Sequence, residues 1–279
     1  MGIISGHVGS QKKKGSGALI TAMNQLVISG AAPTYNSVST AWGWAGPGAS
    51  LSTSNSPLFS INLTGKTFAN GLRIILQSGG GSSSNNDGDG DSSGNSGATS
   101  VFTIPASGLT GTLNIYLGAC GPSYSTSGGA QQNVNPRQIS GITNPLGAQS
   151  VSPGQGSYAG NASYDAAVLL ESVILGYAEG GGATPNYDSP NSYQSRAYVN
   201  TSYVTNVATT PGPVSPGRSA AAGNTSYPLF NFRQVSDYGT CYGKYSSIDG
   251  GRYGQGGTEA YLGGAGTNGF PAFIWISIL

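Results

Sequence analysis

The amino-acid sequence predicts a mainly β protein with glycine-rich loops. Three observations carry this: a twice-occurring pattern of alternating apolar residues, a nearly continuous apolar strand at the C-terminus, and a composition in which glycine supplies 47 of 279 residues while only 8% are charged. An ordinary globular chain is about 25% charged, so Ser, Thr, Asn, Gln and Tyr must keep this surface in water. A net charge of +1 offers little steering and no basic groove, which argues against nucleic acid as a partner. High glycine with serine is the usual mark of disorder, because glycine loses the most backbone entropy on folding and adds no side chain to a core. The 16 Tyr, 7 Phe and 3 Trp and the recurring apolar runs point instead to ordered, loop-rich structure.

Residues 1–50 read as an N-terminal attachment module. An extended Gly/Ser start carries the single histidine, His7, and runs into the basic knot Lys12-Lys-Lys14 and a short amphipathic segment over 18–28. Trp42 and Trp44 follow, beside Gly46-Pro-Gly48. Two tryptophans in so small a module serve either as its local core or as anchors in an interface with another protein. Lys12 to Lys14 followed by Ala18-Leu19-Ile20 has the outline of a weak secretory leader, but Asn24 and Gln25 interrupt its apolar stretch. No run reaches the roughly 18 apolar residues of a membrane-spanning helix. The expectation is a chain assembled in the cytoplasm, without a leader and without membrane insertion.

Residues 51–120 read as a β-hairpin repeat region, the neck of the molecule. Phe59-Ser-Ile61 passes through Gly65 and Gly71 into Leu72-Arg-Ile74-Ile-Leu76 and then Gly79-Gly-Gly81. The second copy runs from Phe102-Thr-Ile104 through Gly108 and Gly111 into Leu113-Asn-Ile115-Tyr-Leu117, then Gly118 and Gly121. The period-2 alternation predicts two strands per copy, joined by a glycine turn. Between the copies lies an exposed Ser/Asn/Asp/Gly loop containing Asp87, Asp89 and Asp91. These alternating carboxylates resemble the start of a calcium loop. The EF-hand pattern, however, needs Gly at its sixth position and Glu at its twelfth, where this chain has Ser92 and Ala98. A solvated acidic loop is expected, with no metal and no other cofactor.

Residues 121–279 form a Gly/Tyr-rich recognition region holding 14 of the 16 tyrosines. Apolar islands over 166–175 and 198–204 interrupt it, and the closing Phe273-Ile-Trp275-Ile-Ser-Ile-Leu279 reads as a buried strand. Tyrosine brings a large contact area and a hydroxyl at low rotamer cost, while Ser, Gly and Asn supply adaptable hydrogen bonds, the logic of antibody paratopes. The same mixture suits sugars, whose ring faces stack on aromatics. The alternative is that the tyrosines fill a glycine-rich core. Tyr187, Tyr193, Tyr238, Tyr242, Tyr245 and Tyr253 lie beside Pro, Gly, Asn and Ser without sustained alternation, so these six are the candidate receptor-binding residues. Tyr116 and Tyr177 adjoin strand-like segments and should be more buried. Cys120 and Cys241 lack ligand spacing and are too few for a disulfide scaffold, so free thiols are expected.

Catalytic patterns are missing. His7 lies far from any Gly-x-Ser-x-Gly elbow. No spacing among Asp165, Glu171, Glu179, Asp237, Asp249 and Glu259 marks a glycosidase pair. Gly250-Gly-Arg-Tyr-Gly-Gln-Gly-Gly257 lacks the Lys-Ser/Thr ending of a phosphate loop. The chain is not expected to be an enzyme.

The opening Met1-Gly-Ile-Ile-Ser-Gly-His-Val-Gly-Ser10, residues 21–30 and Ser56-Pro-Leu-Phe-Ser-Ile-Asn-Leu-Thr-Gly65 resemble the distal long-tail-fibre adhesins of T-even-like bacteriophages. Phe102-Thr-Ile-Pro-Ala and the ending 263–279 are similar to glycine-rich domains of other phage tail proteins. The resemblance implies a virion protein at a tail-fibre tip. Its partners would be a host outer-membrane protein or glycan, and another fibre protein held through the N-terminal module. It also implies a receptor-binding core of packed polyglycine II helices. The glycine runs here are shorter and more scattered than in that family, and Lys12 to Lys14 is a departure from it. The competing expectation is a structural virion protein, a fibre segment or decoration subunit, without receptor binding; a glycan depolymerase ranks third.

Overall fold

The computed structural model describes residues 17–52, 54–82, 94–123, 137–147, 149, 161–182, 194–211 and 268–279. The described residues are mainly β, as the apolar alternation predicts, with only two single-turn 3-10 segments, Met23–Gln25 and Ala106–Gly108. The strands in chain order are β1 (Ala18–Ile20), β2 (Val27–Gly30), β3 (Tyr35–Val38), β4 (Ala41–Ala45), β5 (Phe59–Asn62), β6 (Lys66–Phe68) and β7 (Gly71–Gln77). They continue with β8 (Thr99–Pro105), β9 (Thr112–Leu117), β10 (Ala166–Leu170), β11 (Val173–Ala178), β12 (Ala197–Val199), β13 (Thr205–Thr210) and β14 (Phe273–Ile278). Two antiparallel six-stranded sheets have the orders β12-β11-β10-β9-β5-β2 and β13-β8-β7-β14-β4-β3, and β1 pairs β6 in parallel.

The sheets pack face to face. Alternate residues of each strand point inward: Phe59 and Ile61, Leu113 and Ile115, and Val168 from the first sheet, and Leu72, Ile74, Phe102, Ile104, Ile274 and Ile276 from the second, all within one buried cluster. Removing such area from water is the main force holding the two layers together. The outer faces are apolar in part as well. Ile139 and Ile142, from the segment 137–147, lie on Ala167, Leu169 and Tyr177 outside the first sheet, while Phe273 and Trp275 lie with Ile75 and Val101 outside the second. The closing strand is central in its sheet, flanked by β7 and β4, as its apolar run predicts. The edge strands are short or irregular: β3 and β13 carry register shifts, a way of blunting an open edge.

The repeat forms strands where expected, but not hairpins. The two strands of each copy lie in opposite sheets, and the copies pair with each other: β7 with β8, matching Ile74 to Phe102, and β5 with β9, matching Phe59 to Ile115. The glycine-bearing connections span the gap between sheets, and this lets the inward faces of one copy meet those of the other. The segment boundaries do not divide the fold either, because β4 from residues 1–50 is bonded to β14 from the C-terminal region and β9 to β10 across residue 120.

Beyond one end of the sandwich the chain leaves the sheets and continues as glycine-rich, buried segments. They extend from the C-terminal ends of β7, β9 and β11 and lead into β8, β10 and β14. Segment 78–82 sits at the centre. Gly80, Gly81 and Ser82 donate backbone hydrogen bonds to Phe270 (2.9 Å), Asn95 (3.0 Å) and Asn161 (2.9 Å), while Gly79 and Gly80 accept from Gly181 (2.8 Å) and Gly121 (3.0 Å). A strand in a sheet has at most two bonded neighbours, and this segment has five. Such approach demands glycine: a Cβ on Gly269 would lie 1.8 Å from the Gly80 carbonyl oxygen, and one on Gly121 would lie 1.9 Å from that of Asn161. The bundle therefore draws on residues 78–123 as much as on the region after 121. Each glycine run continues a core strand, so the ends of strands distant in sequence converge.

Candidate functional site

The glycine bundle carries several of the points at which the chain leaves or re-enters the described residues around 83–93, 124–136, 150–160, 183–193 and 212–267. Several of these flanks are bonded to one another. Asn95 donates its N–H to Gly182 O at 2.9 Å and Gly269 donates to Gly121 O at 2.9 Å. Ser123 donates to Asn268 Oδ1 at 2.6 Å, and Asn161 Nδ2 donates to Pro122 O at 2.9 Å. Pro211 follows β13, whose Thr210 pairs with Thr99 where the bundle joins the sandwich. The predicted site residues Tyr187, Tyr193, Tyr238, Tyr242, Tyr245 and Tyr253 lie in these stretches, outside the described residues. So do Asp87, Asp89, Asp91 and Cys241, while His7 and Lys12 to Lys14 fall outside them at the N-terminus. Tyr177, expected to be buried, is fully so, and Tyr116 is half-buried.

Trp42 and Trp44 are described, and both point into the sandwich from β4. Trp44 is 1% exposed, stacks on Phe59 with ring centroids 4.1 Å apart, and donates Nε1–H to Ala31 O at 3.1 Å. Trp44 is a core residue, because its strand belongs to the large second sheet rather than to a small separate module. Trp42 is half-buried, 6.3 Å from it, and is the one of the pair with surface to offer a partner.

A buried polar network under the bundle was not visible in the sequence. Asp165, the last residue before β10, accepts the Tyr177 hydroxyl at 2.5 Å and the Gly180 N–H at 2.8 Å. Burial pushes its carboxyl up to about 7, opposed by those two hydrogen bonds; Glu179 raises it further and Arg196 lowers it. Glu179 pairs with Arg196 at 2.5 Å, accepts from Asn144 Nδ2 at 2.8 Å, and accepts the Arg196 backbone N–H at 2.8 Å. Arg196 continues to Leu146 O at 3.2 Å and Gly147 O at 2.7 Å, which fastens the covering segment 137–147 to the sheet. Asp165 and Glu179 are each 1% exposed, out of reach of a polymeric substrate. Positions 165, 177, 179 and 196 meet through the pairing of β10, β11 and β12, and Asn144 joins them from the covering segment, so no local spacing announces them.

Cys120 is a free thiol packed among the glycine segments, and burial pushes it up to about 11, which keeps it protonated and unreactive. No helix of the described residues is long and apolar enough to cross a membrane. No protein-family model matches the chain, and no curated protein matches it.

Proposed function

We propose that the protein is a phage virion adhesin, a tail-fibre tip that binds a host cell-surface protein or glycan through tyrosine-bearing loops framed by glycine, and that it is not an enzyme. What supports this is the convergence at one end of the bundle. Each of the two stretches that hold the six candidate tyrosines has a flank bonded to the flank of another stretch far away in sequence, Gly182 before 183–193 to Asn95, and Asn268 and Gly269 after 212–267 to Ser123 and Gly121. Loops rooted on a rigid scaffold are the usual carriers of recognition, and fixing their bases lowers the ordering cost of binding.

We further read the glycine segments as a small polyglycine II bundle. Such helices have three residues per turn and no internal hydrogen bonds, which leaves each backbone free to bond several neighbours, as segment 78–82 does with five. The N-terminal residues, with Trp42 facing the surface in part, hold the protein to another fibre protein. Neither nucleic acid nor a membrane is a partner.

The test is competition. Purified protein added to host cells should block virion adsorption in a saturable way, and antibody against it should label the fibre tip in virion images. Labelling of a capsid or tube lattice, with no competition at saturating protein, would instead favour a structural subunit.

A further inference from the structure

A cleft of about 170 Å³ opens on the flank of the sandwich, between the loop that follows β4, the outer side of β9 and the covering segment 137–147. We propose that it binds a single pyranose ring, at a site separate from the loop-bearing end and independent of what those loops bind. The size sets the class first. A cavity of about 150 Å³ takes one benzene-sized ring, whereas drug-sized ligands need about 300 Å³ or more.

The lining chooses among small rings. Pro47, Pro57 and Ile139 supply apolar walls, and the hydroxyl-bearing residues Tyr116, Ser54 and Ser56 line the same cleft. The Tyr116 hydroxyl has no hydrogen-bond partner among the described residues. The Ser54 hydroxyl accepts the Ser56 N–H at 3.1 Å, which leaves its own proton to donate outward. A purely apolar ring would leave these hydroxyls unused. A pyranose places a C–H face against tyrosine and proline and offers donors and acceptors around its rim.

The cleft is also held in shape. The Tyr164 hydroxyl and Arg137 Nη1 both donate to Leu51 O, at 2.7 and 3.3 Å, pinning the loop on one side. The Glu179–Arg196–Asn144 network pins the segment bearing Ile139 on the other. Preorganisation of this kind lowers the ordering cost of binding.

The experiment is NMR titration of the full chain with the methyl glycosides of glucose, galactose, mannose and N-acetylglucosamine, each to about 50 mM, since a site this small should bind near the millimolar range. At least one glycoside should saturate. Tyr116→Phe, which keeps the ring and loses the hydroxyl, should weaken it several-fold, and Tyr116→Ala by about tenfold or more. Should Tyr116→Ala fail to fold, the exposed-rim double variant Ser54→Ala/Ser56→Ala is read instead, and it must weaken binding while melting as the parent does. Saturation by none of the four glycosides overturns the proposal, and so does saturation that these variants leave unchanged.

Discussion

At the scale of single residues, the buried network makes two predictions. The Glu179 side chain is 2% exposed and that of its partner Arg196 31%, so the two halves of the pair are not equivalent. Arg196→Met strands a carboxylate in the interior and should destabilise by about 3–5 kcal/mol. Glu179→Gln leaves a guanidinium that can turn to water, and should cost less; equal losses in denaturant unfolding would contradict the burial argument. The second prediction concerns Asp165, whose ordinary value of 3.8 rises to about 7 in the folded chain. A carboxyl that holds its proton more tightly when folded contributes stability that is complete below about 3.8 and is lost as pH climbs through 7. Melting temperature should therefore fall between pH 4 and 8, and Asp165→Asn should flatten the fall; an identical slope in the variant would place the pH dependence elsewhere. Trp44 belongs to the same scale. Trp44→Ala should destabilise by roughly 3–5 kcal/mol, so attachment through the N-terminal segment is tested cleanly only with Trp42→Ala.

At the scale of elements, the glycine segments make the sharpest forecast. Gly121→Ala must push a methyl into the Asn161 carbonyl, whereas nothing lies within 4 Å of a Cβ on Gly48. The first should destabilise by about 1–3 kcal/mol or more, and the second should be neutral or stabilise by up to about 1 kcal/mol. Similar melting temperatures for the two would mean that the close approach is not what requires glycine. The strands themselves were legible: the alternation in Phe59-Ser-Ile61, Leu72 to Leu76 and Leu113 to Leu117 marks both their position and their inward faces. Their pairing was not. A connection containing glycine can close a hairpin or cross between layers, and period-2 alternation is the same in both cases. The sheet that results depends on β14, some 170 positions after β8, inserting between β7 and β4. The bundle was legible only as composition, since bonding among six segments needs partners that no single run reveals. Asp165 and Glu179 looked like scattered acids for the same reason: their partners Tyr177, Gly180, Asn144 and Arg196 come from neighbouring strands and a covering segment.

At the scale of the whole molecule, the sandwich is a base, the bundle extends from one end of it, and one flank of each tyrosine-bearing stretch, Gly182 and Asn268–Gly269, is bonded within the bundle. A division of labour follows: substitutions in the sandwich should act through stability, and substitutions in the stretches through binding. The most direct test is a set of Tyr→Ala substitutions at positions 187, 193, 238, 242, 245 and 253, each scored for adsorption of the protein to host cells and for melting temperature. The account predicts that a few of them abolish adsorption, at about 2 kcal/mol or more each, with melting unchanged. Melting that falls across the set while adsorption stays at the parent level would show that these tyrosines are core, and would contradict it.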